Sequence, residues 1–129
     1  KIKTVEDIML TGNKIPFVNE NLKMKKALKI LSDKKLGVLI VQNKKRQTTG
    51  IITDGQIRRF NQKNPDLLET KVNKVMTKNP VSVEKNDLAA KALSIMNNKK
   101  ITALCVFKKN RKKTIGLIHM HNILKANIS

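Results

Sequence analysis

The chain is poor in the residue types on which several functional classes depend. Its 129 residues include no Trp, no Tyr and three Phe. Five Gly are too few for a glycine-rich phosphate loop, and a single Cys excludes an internal disulfide framework. The longest uncharged apolar run, Leu36–Val41, has strand length and falls far short of the roughly 20 residues of a membrane helix. Because signal-peptide features are also missing, we expect a protein of a reducing, cytoplasmic compartment with no membrane partner.

Acidic residues are scarce as well. The sequence contains nine Asp and Glu and 28 Lys and Arg, which gives a formal net charge of +19. A surplus of this size invites a nucleic-acid function, yet only four of the basic residues are Arg, the type that specific readers favour for bidentate contacts. Single-strand binders need aromatic platforms, which are nearly absent. We therefore expect no specific nucleic-acid partner and keep a basic polyanion-binding surface as an alternative.

The second half of the chain repeats the first. Four sequence blocks recur in the same order, with offsets of 65 to 67 residues. The paired blocks are Val5–Met9 and Val72–Met76, Ala27–Leu31 and Ala92–Met96, Leu36–Val41 and Ile101–Val106, and Gly50–Thr53 and Gly116–His119. We expect one repeat over residues 1–62, a linker over 63–70 and a second repeat over 71–129.

Each repeat has the pattern of a β–α–β–β–α unit. A short apolar strand follows Pro16 or Pro80, then an apolar stripe with helical spacing, then two strands joined by a polar hairpin tip. A terminal helix is expected to begin near Asp54 or Met120. The first helix is expected to begin at Asn19 or Asn21 in the first repeat, and at Asn86 or Asp87 in the second. The predicted class is α/β (α+β), with two such units packed as a pseudo-two-fold pair.

Several short motifs resemble those of a known family. The openings Ile8–Thr11 and Val75–Pro80, together with the later Gly50–Thr53, resemble a tandem pair of CBS domains. Thr53–Arg59 is similar to the pattern Thr-Asp-Gly-Asp-Leu-Arg-Arg in the C-terminal CBS pair of arabinose-5-phosphate isomerases. Gly116–Asn122 is similar to the pattern Gly-h-h-His-h-His-Asp of the same proteins, where h is apolar. The resemblance covers nearly the whole chain.

The resemblance implies regulation rather than turnover. In such isomerases an N-terminal sugar-isomerase (SIS) domain interconverts ribulose 5-phosphate and arabinose 5-phosphate, and the CBS pair follows it. The two repeats occupy all 129 residues, so we expect no catalytic residue in this chain. Because the chain begins at Lys1 and not at Met, we expect part of a longer bacterial isomerase, with the SIS domain as its partner.

In the first repeat, the resemblance assigns ligand binding to the turn after Gly50–Thr53. Thr53 corresponds to a hydroxyl that contacts a ligand phosphate, next to helix N–H groups that begin at Asp54. The alternative is that Thr53 or Asp54 only caps the helix. Gln56 replaces the Asp that usually holds both ribose hydroxyls, and an amide lacks that charge. Arg58 and Arg59 suit a carboxylate or phosphate, or else form a solvated helix face.

In the second repeat, the same resemblance places His119 at the Thr position and Asn122 at the Asp position. His119 and His121 are two residues apart, and no Cys or carboxylate cluster joins them, so no metal site is expected. One of the two His side chains is a candidate for contact with an anionic ligand when protonated. The alternative is a capping or surface His.

The resemblance also implies a pocket for a nucleobase. CBS ligands often pair their base with backbone at the start of a strand, which here points to Lys100, Ile101 and Thr102. Asn79 and Pro80 would form the other wall. No cofactor is required. The expected regulatory ligand is CMP-Kdo, the CMP conjugate of 3-deoxy-manno-octulosonate and the end product of the pathway, with an adenine nucleotide as the rival.

Self-association is expected too. CBS pairs commonly dimerise through their terminal helices, and Ile57, Phe60, Ile123 and Leu124 offer apolar positions for a homodimer or a higher homo-oligomer. A further alternative to ligand sensing is a structural dimerisation module whose sites are empty.

Overall fold

The computed structural model describes residues 2–108 and 112–128. They form two compact units, each with its own sheet and core. One unit is Pro16–Pro80, and the other combines the described residues of Lys1–Ile15 and Val81–Ser129. The mixed α/β class predicted from the repeats is confirmed.

The unit Pro16–Pro80 contains a four-stranded sheet in the order β1-β2-β3-β4. Its elements are β1 (Phe17–Asn19), α2 (Met24–Lys34), β2 (Val38–Gln42), β3 (Thr48–Thr53), α3 (Asp54–Lys63) and β4 (Thr77–Lys78), with 3-10 helices at Leu67–Glu69 and Val72–Lys74. Strand β2 pairs parallel with β1 and antiparallel with β3, and β3 pairs antiparallel with β4. All four residues from Val38 to Val41 are buried, as expected for a central strand covered on both faces.

The other unit repeats this plan with a three-stranded sheet in the order β5-β6-β7. Its elements are α1 (Val5–Ile8), a 3-10 helix (Gly12–Lys14), β5 (Ser82–Glu84), α4 (Ala89–Lys99), β6 (Ala103–Phe107), β7 (Thr114–His119) and α5 (Met120–Lys125). Strand β6 pairs parallel with β5 and antiparallel with β7. Both repeats therefore have the predicted β–α–β–β–α order, and the two terminal helices begin at the predicted residues.

Each unit includes the opening segment of the other sequence repeat. Strand β4, from the start of the second repeat, pairs with β3 of the first through Thr77 and Ile51. In the other unit, Leu10 from the start of the first repeat forms a bridge with Leu117 of β7. The compact units thus exchange the short segments that precede Pro16 and Pro80.

The first helices of the repeats begin later than predicted. The N-cap positions are Lys23 and Leu88 rather than a polar Asn or Asp. Main-chain carbonyls from distant segments instead accept a hydrogen bond from the first N–H group of each helix. Met24 N donates to Thr70 O over 2.8 Å, and Ala89 N donates to Lys3 O over 2.9 Å.

Two residues expected at a dimer surface are instead in the cores. Ile57 belongs to the core of the unit Pro16–Pro80, and Ile123 belongs to the core of the other unit, where it is fully buried. Phe60 packs against the first of these cores, whereas Leu124 is 62% exposed. The prediction that Ile57 and Ile123 form an interface is therefore wrong, because each is the inward residue of its own helix. Among the described helices, none is long and apolar enough to cross a membrane.

Candidate functional site

Thr53 lies at the turn between β3 and α3, where it caps the helix. Its side-chain oxygen accepts a hydrogen bond from Gln56 N over 3.4 Å. The Gln56 side-chain Oε1 accepts in return from Thr53 N over 2.9 Å and from the Thr53 hydroxyl over 3.2 Å. This reciprocal pattern is a capping box. The capping role weighed for Thr53 from the sequence is therefore present in the structure.

The other end of the Gln56 side chain reaches a residue that the sequence did not indicate. Gln56 Nε2 donates a hydrogen bond to the hydroxyl of Thr77 on β4, 21 positions later. Both polar ends of the Gln56 amide are thereby occupied by protein groups. In this arrangement Gln56 links the start of α3 to the edge strand β4, and these bonds use one of the two Nε2 hydrogens.

Asp54 packs against Gly37, and both residues line a shallow cleft. A Cβ on Gly37 would be 3.0 Å from Asp54 Oδ2, and Gly37 has φ +69°, so this close approach and this backbone conformation both favour glycine. Asp54 N donates to Gly37 O over 3.2 Å. The cleft has a volume of about 360 Å³ and is lined by Leu28, Leu31, Ser32, Lys35, Gly37 and Asp54.

Arg58 and Arg59 both reach back towards the first turn of α3. A Cβ on Gly55 would be 3.1 Å from Arg59 Nη1 and 3.8 Å from Arg58 Nη2. Both arginines are exposed, and among the described residues neither forms an ion pair with a carboxylate. Two guanidinium groups thus converge over one glycine beside the Thr53 turn.

The equivalent turn between β7 and α5 is built by different side chains. His119 is 5% exposed, and its Nδ1 accepts a hydrogen bond from His121 N over 3.2 Å. Asn122 Oδ1 accepts from His119 N over 3.2 Å, as Gln56 does for Thr53. The rings of His119 and His121 are 4.5 Å apart between centroids, and His121 is exposed. His119 is therefore a buried capping residue, which is the alternative that the sequence left open.

The strand start predicted to face a nucleobase lies next to this second turn. Met120 N donates to Thr102 O over 2.8 Å, which repeats the contact from Asp54 to Gly37 in the first unit. Lys100 is the C-cap residue of α4 and has a left-handed backbone conformation, with φ 56°. Ile101, between Lys100 and Thr102, is half-buried. Lys35 has the same role after α2, with φ 58°.

The residues predicted for ligand binding in the two repeats are distributed over both units. Thr53, Asp54, Gln56, Arg58 and Arg59 lie in the unit Pro16–Pro80, together with Asn79 and Pro80 after β4. Lys100, Ile101, Thr102, His119, His121 and Asn122 lie in the other unit. Asn79 is exposed and has φ 53°. Sequence reasoning missed Thr77 and Gly37; their only signals were the motif Val75–Pro80, which contains Thr77, and the glycine within Leu36–Val41.

Other reactive groups are few in the described part of the chain. No group of three or more His, Cys, Asp or Glu that could hold a metal ion occurs among the described residues. The Cys105 side chain is buried in β6, and desolvation raises the pKa of its thiol to about 12, although a hydrogen bond with Thr114 acts in the opposite direction. A protonated, inaccessible thiol cannot act as a nucleophile.

Sequence comparisons connect the chain to sugar-phosphate isomerases. The chain is 36% identical over 124 residues to arabinose 5-phosphate isomerase KdsD of Yersinia pestis, which covers 96% of this chain and 37% of that protein. It is also 36% identical over 128 residues to KdsD of Francisella tularensis, covering 98% of this chain and 38% of that protein. The chain therefore spans less than two-fifths of the length of these relatives.

Structural comparisons point to the same fold. CBSX2 in complex with AMP superposes with a TM-score of 0.85 at 23% identity, covering 96% of this chain and 95% of CBSX2. The CBS domain pair of MJ0100, in complex with 5′-methylthioadenosine and S-adenosyl-L-methionine, gives a TM-score of 0.86 at 19% identity, covering 98% and 96%. A family model described as the CBS domain matches residues 5–63 and 72–129. The family predicted from the motifs is confirmed, and the chain belongs to the CBS domain family.

Proposed function

We propose that this chain is the ligand-sensing CBS pair of an arabinose-5-phosphate isomerase, and that it modulates a SIS catalytic domain outside the 129 residues. The observation that carries the proposal is the match of almost the entire chain to just over a third of KdsD proteins. That share leaves the remainder of such a protein for catalysis. The two capped strand-to-helix turns are the candidate sensing sites.

The ligand class is a nucleotide or nucleotide sugar. Two neighbours of the same fold are complexes with AMP and with adenosine-containing sulfur compounds, which supports a nucleoside ligand here. CMP-Kdo adds a carboxylate and a phosphate to a base and a ribose. Arg58 and Arg59, which form no ion pair among the described residues, suit its negative charge. We therefore test CMP-Kdo against AMP and ATP rather than adenine nucleotides alone.

A structural module with empty sites is the second candidate function. One observation favours it: Gln56 uses its side-chain amide within the protein, on Thr53 and Thr77. A ribose at that turn would compete with these hydrogen bonds. Under this alternative the chain would serve association of the parent protein, with Leu124 as the exposed apolar residue on α5. Sedimentation of the purified chain at tens of micromolar in moderate salt tests dimer formation directly.

The proposed function is tested by thermal unfolding with a panel of ligands. A ligand that binds only the folded state, at a hundredfold excess over its Kd, stabilises by about 2.7 kcal/mol, and the melting temperature rises by several degrees. We expect CMP-Kdo, AMP or ATP to cause such a shift at moderate salt, with CMP-Kdo the strongest. If no nucleotide changes the melt, while DNA or heparin does so only in low salt, the sensing function is wrong and the basic surface is the functional feature.

Regulation requires the parent protein. We expect the 129-residue chain alone to show no turnover of arabinose 5-phosphate, and the full-length isomerase to change its rate when the stabilising nucleotide is added. A nucleotide that stabilises the chain but leaves the parent's rate and affinity for arabinose 5-phosphate unchanged would contradict the regulatory role.

A further inference from the structure

A cavity of about 610 Å³ lies beside the end of β6 and the start of β7. It is lined by Glu84, Lys85, Asn86, Phe107, Lys108 and Ile115. The volume is within the range of roughly 300–1,000 Å³ that is usual for small-molecule sites. Strands β6 and β7 pair through Ala103 and His119 at one end and through Phe107 and Thr114 at the other. The cavity is therefore at the opposite end of these strands from the turn at His119.

Two apolar side chains form walls of this cavity. Phe107 is the last residue of β6. Ile115 occupies a β-bulge in β7, because its neighbours Thr114 and Gly116 pair with Phe107 and Val106. A bulge residue has no direct partner across the ladder, and its side chain departs from the regular alternation of the strand. Phe107 and Ile115 are both half-buried, so part of their apolar surface is open to the cavity.

The same place in the first repeat has polar residues. Gln42 is the last residue of β2, as Phe107 is of β6. Thr49 occupies the bulge of β3, as Ile115 does in β7. Both walls therefore change from polar in the first repeat to apolar in the second. The core of the fold does not require this change, because the first unit forms the same strands and the same bulge with polar residues.

The charge at the rim of the cavity also differs between the repeats. Lys85 corresponds to Glu20, because Lys85 O accepts from Glu6 N and Glu20 O accepts from Asn73 N at equivalent points, each over 3.0 Å. A cation thus replaces an anion. Lys85 Nζ is 3.8 Å from Glu6 Oε2, but both side chains are about half exposed, and such a surface pair is weak.

A second lysine replaces an amide at the rim. Lys108 follows β6 where Asn43 follows β2. Asn43 uses its side chain to hold the first hairpin tip, through Lys45 N and Gln47 N. Lys108 is exposed and forms no ion pair with a carboxylate among the described residues. The lining as a whole has two lysines and the single carboxylate of Glu84.

We propose that this cavity binds a small amphipathic monocarboxylate, whose apolar body packs on Phe107 and Ile115 and whose carboxylate lies beside Lys108 and Lys85. The differences between the repeats all act in this direction, since two positions become apolar and two become lysine. Removal of apolar surface from water supplies affinity, and the lysines select for negative charge. Glu84 disfavours ligands with several negative charges. The site needs no nucleotide and is independent of the proposed function.

The proposal is tested by NMR titration of the protein with octanoate, a simple member of this ligand class. We expect saturable shifts of the backbone amides of Phe107, Lys108 and Ile115, and no shifts at Gln42 and Thr49, which serve as the internal control. Octanol has the same chain without the charge and should bind several-fold more weakly, whereas octylamine should not bind. Acetate, which lacks the apolar body, should not cause the shifts at Phe107 and Ile115.

Two kinds of variant test the two parts of the site. Phe107→Gln introduces the residue of the first repeat and should weaken octanoate binding by about tenfold. Lys108→Gln should weaken it by about two- to fivefold, the effect of a partly exposed ion pair. Lys63→Gln is the matched control, because it removes the same charge from an exposed position of the first unit and should leave the affinity unchanged.

Three results would overturn the proposal. The first is an absence of octanoate binding, and the second is a set of shifts that spreads over both units without saturation, as for general attraction to the +19 charge. The third is an equal effect of Lys108→Gln and Lys63→Gln, or equal binding of octanoate and octylamine. Because Lys108 is exposed, this comparison stands even if Phe107→Gln disturbs the fold. None of these results bears on nucleotide sensing.

Discussion

The side chain of Met76 occupies the space where a side chain on Gly50 would lie. A Cβ at Gly50 would be 2.5 Å from Met76 Sδ and 2.8 Å from the carbonyl oxygen of Thr77. The same relationship joins Met9 and Gly116 in the other unit. The opening Met of each repeat and the glycine that begins the last strand motif of the other repeat are thus two halves of one packing contact. This contact explains why a Met in the opening motif of one repeat accompanies a Gly in the last strand of the other repeat.

A methyl group at Gly50 should therefore destabilise the fold. We expect Gly50→Ala to lower the free energy of unfolding by about 1–3 kcal/mol, because the backbone of Thr77 cannot move aside as a flexible side chain could. Gly55→Ala is the matched control, since its Cβ would meet only the mobile end of Arg59 and alanine favours the helix by about 0.5–1 kcal/mol. Urea unfolding measures both, and equal effects of the two substitutions would contradict the packing contact.

Glu69 should titrate below the usual range of a glutamate. The hydrogen bond from Lys23 Nζ, at 2.8 Å, is the main cause of its lowered pKa, and Lys25 at 3.6 Å contributes less. Because the folded-state pKa is lowered, the stabilisation is present above the ordinary pKa and is lost as the pH falls through the lowered value. We expect Lys23→Ala to raise the pKa of Glu69 more than Lys25→Ala does, as followed by NMR. A larger effect of Lys25→Ala would show that the Lys23 bond is absent in solution.

Cys105 should be inert towards thiol reagents while the protein is folded. Burial raises the pKa of its thiol to about 12, so the reactive thiolate is almost absent at neutral pH. We expect negligible reaction with a disulfide reagent such as DTNB in buffer, and one thiol per chain once denaturant is added. Rapid labelling of the folded protein would mean that β6 opens locally, and hydrogen exchange along β6 would then show the same opening.

The first hairpin tip should depend on Asn43. Its Oδ1 accepts from Lys45 N and from Gln47 N, each over 3.0 Å, and its Nδ2 donates to Gln47 Oε1. We expect Asn43→Ala to cost about 1 kcal/mol of unfolding free energy, since the bonds are exposed to water. Lys44→Ala, on the same tip and exposed, should change the stability by less than about 0.5 kcal/mol. The order of the two effects is read from urea midpoints, and the reverse order would refute the role of Asn43.

Local patterns accounted for much of the fold. The starts of the two terminal helices were predicted because the capping residues Thr53 and His119 lie within three positions of the groups they cap. The starts of α2 and α4 were not, because Thr70 and Lys3, which accept from their first N–H groups, are far away in sequence. A short-range pattern contains no information about a carbonyl that arrives from another segment.

At the candidate site, too, features set by residues close in sequence were predicted, and contacts between distant segments were not. The repeat offsets and the strand-to-helix motif located both turns, but the bond between Gln56 and Thr77 joins residues from different repeats and has no counterpart at Leu10. The prediction assigned candidate residues to the two repeats as units in sequence order. The exchange of opening segments, which only the sheet pairing reveals, places the residues in two groups.

The most direct measurement of the central claim is the salt dependence of nucleotide binding to the purified chain. A ligand held in a specific turn by hydrogen bonds and one or two charges should lose little affinity between low and moderate salt. A polyanion held by the +19 charge should lose it steeply through counterion release. Our account predicts saturable binding of CMP-Kdo or AMP, with an affinity that changes less than about tenfold when the salt is raised from 50 to 200 mM. Binding that is not saturable, or that disappears over this range as heparin binding does, would contradict it.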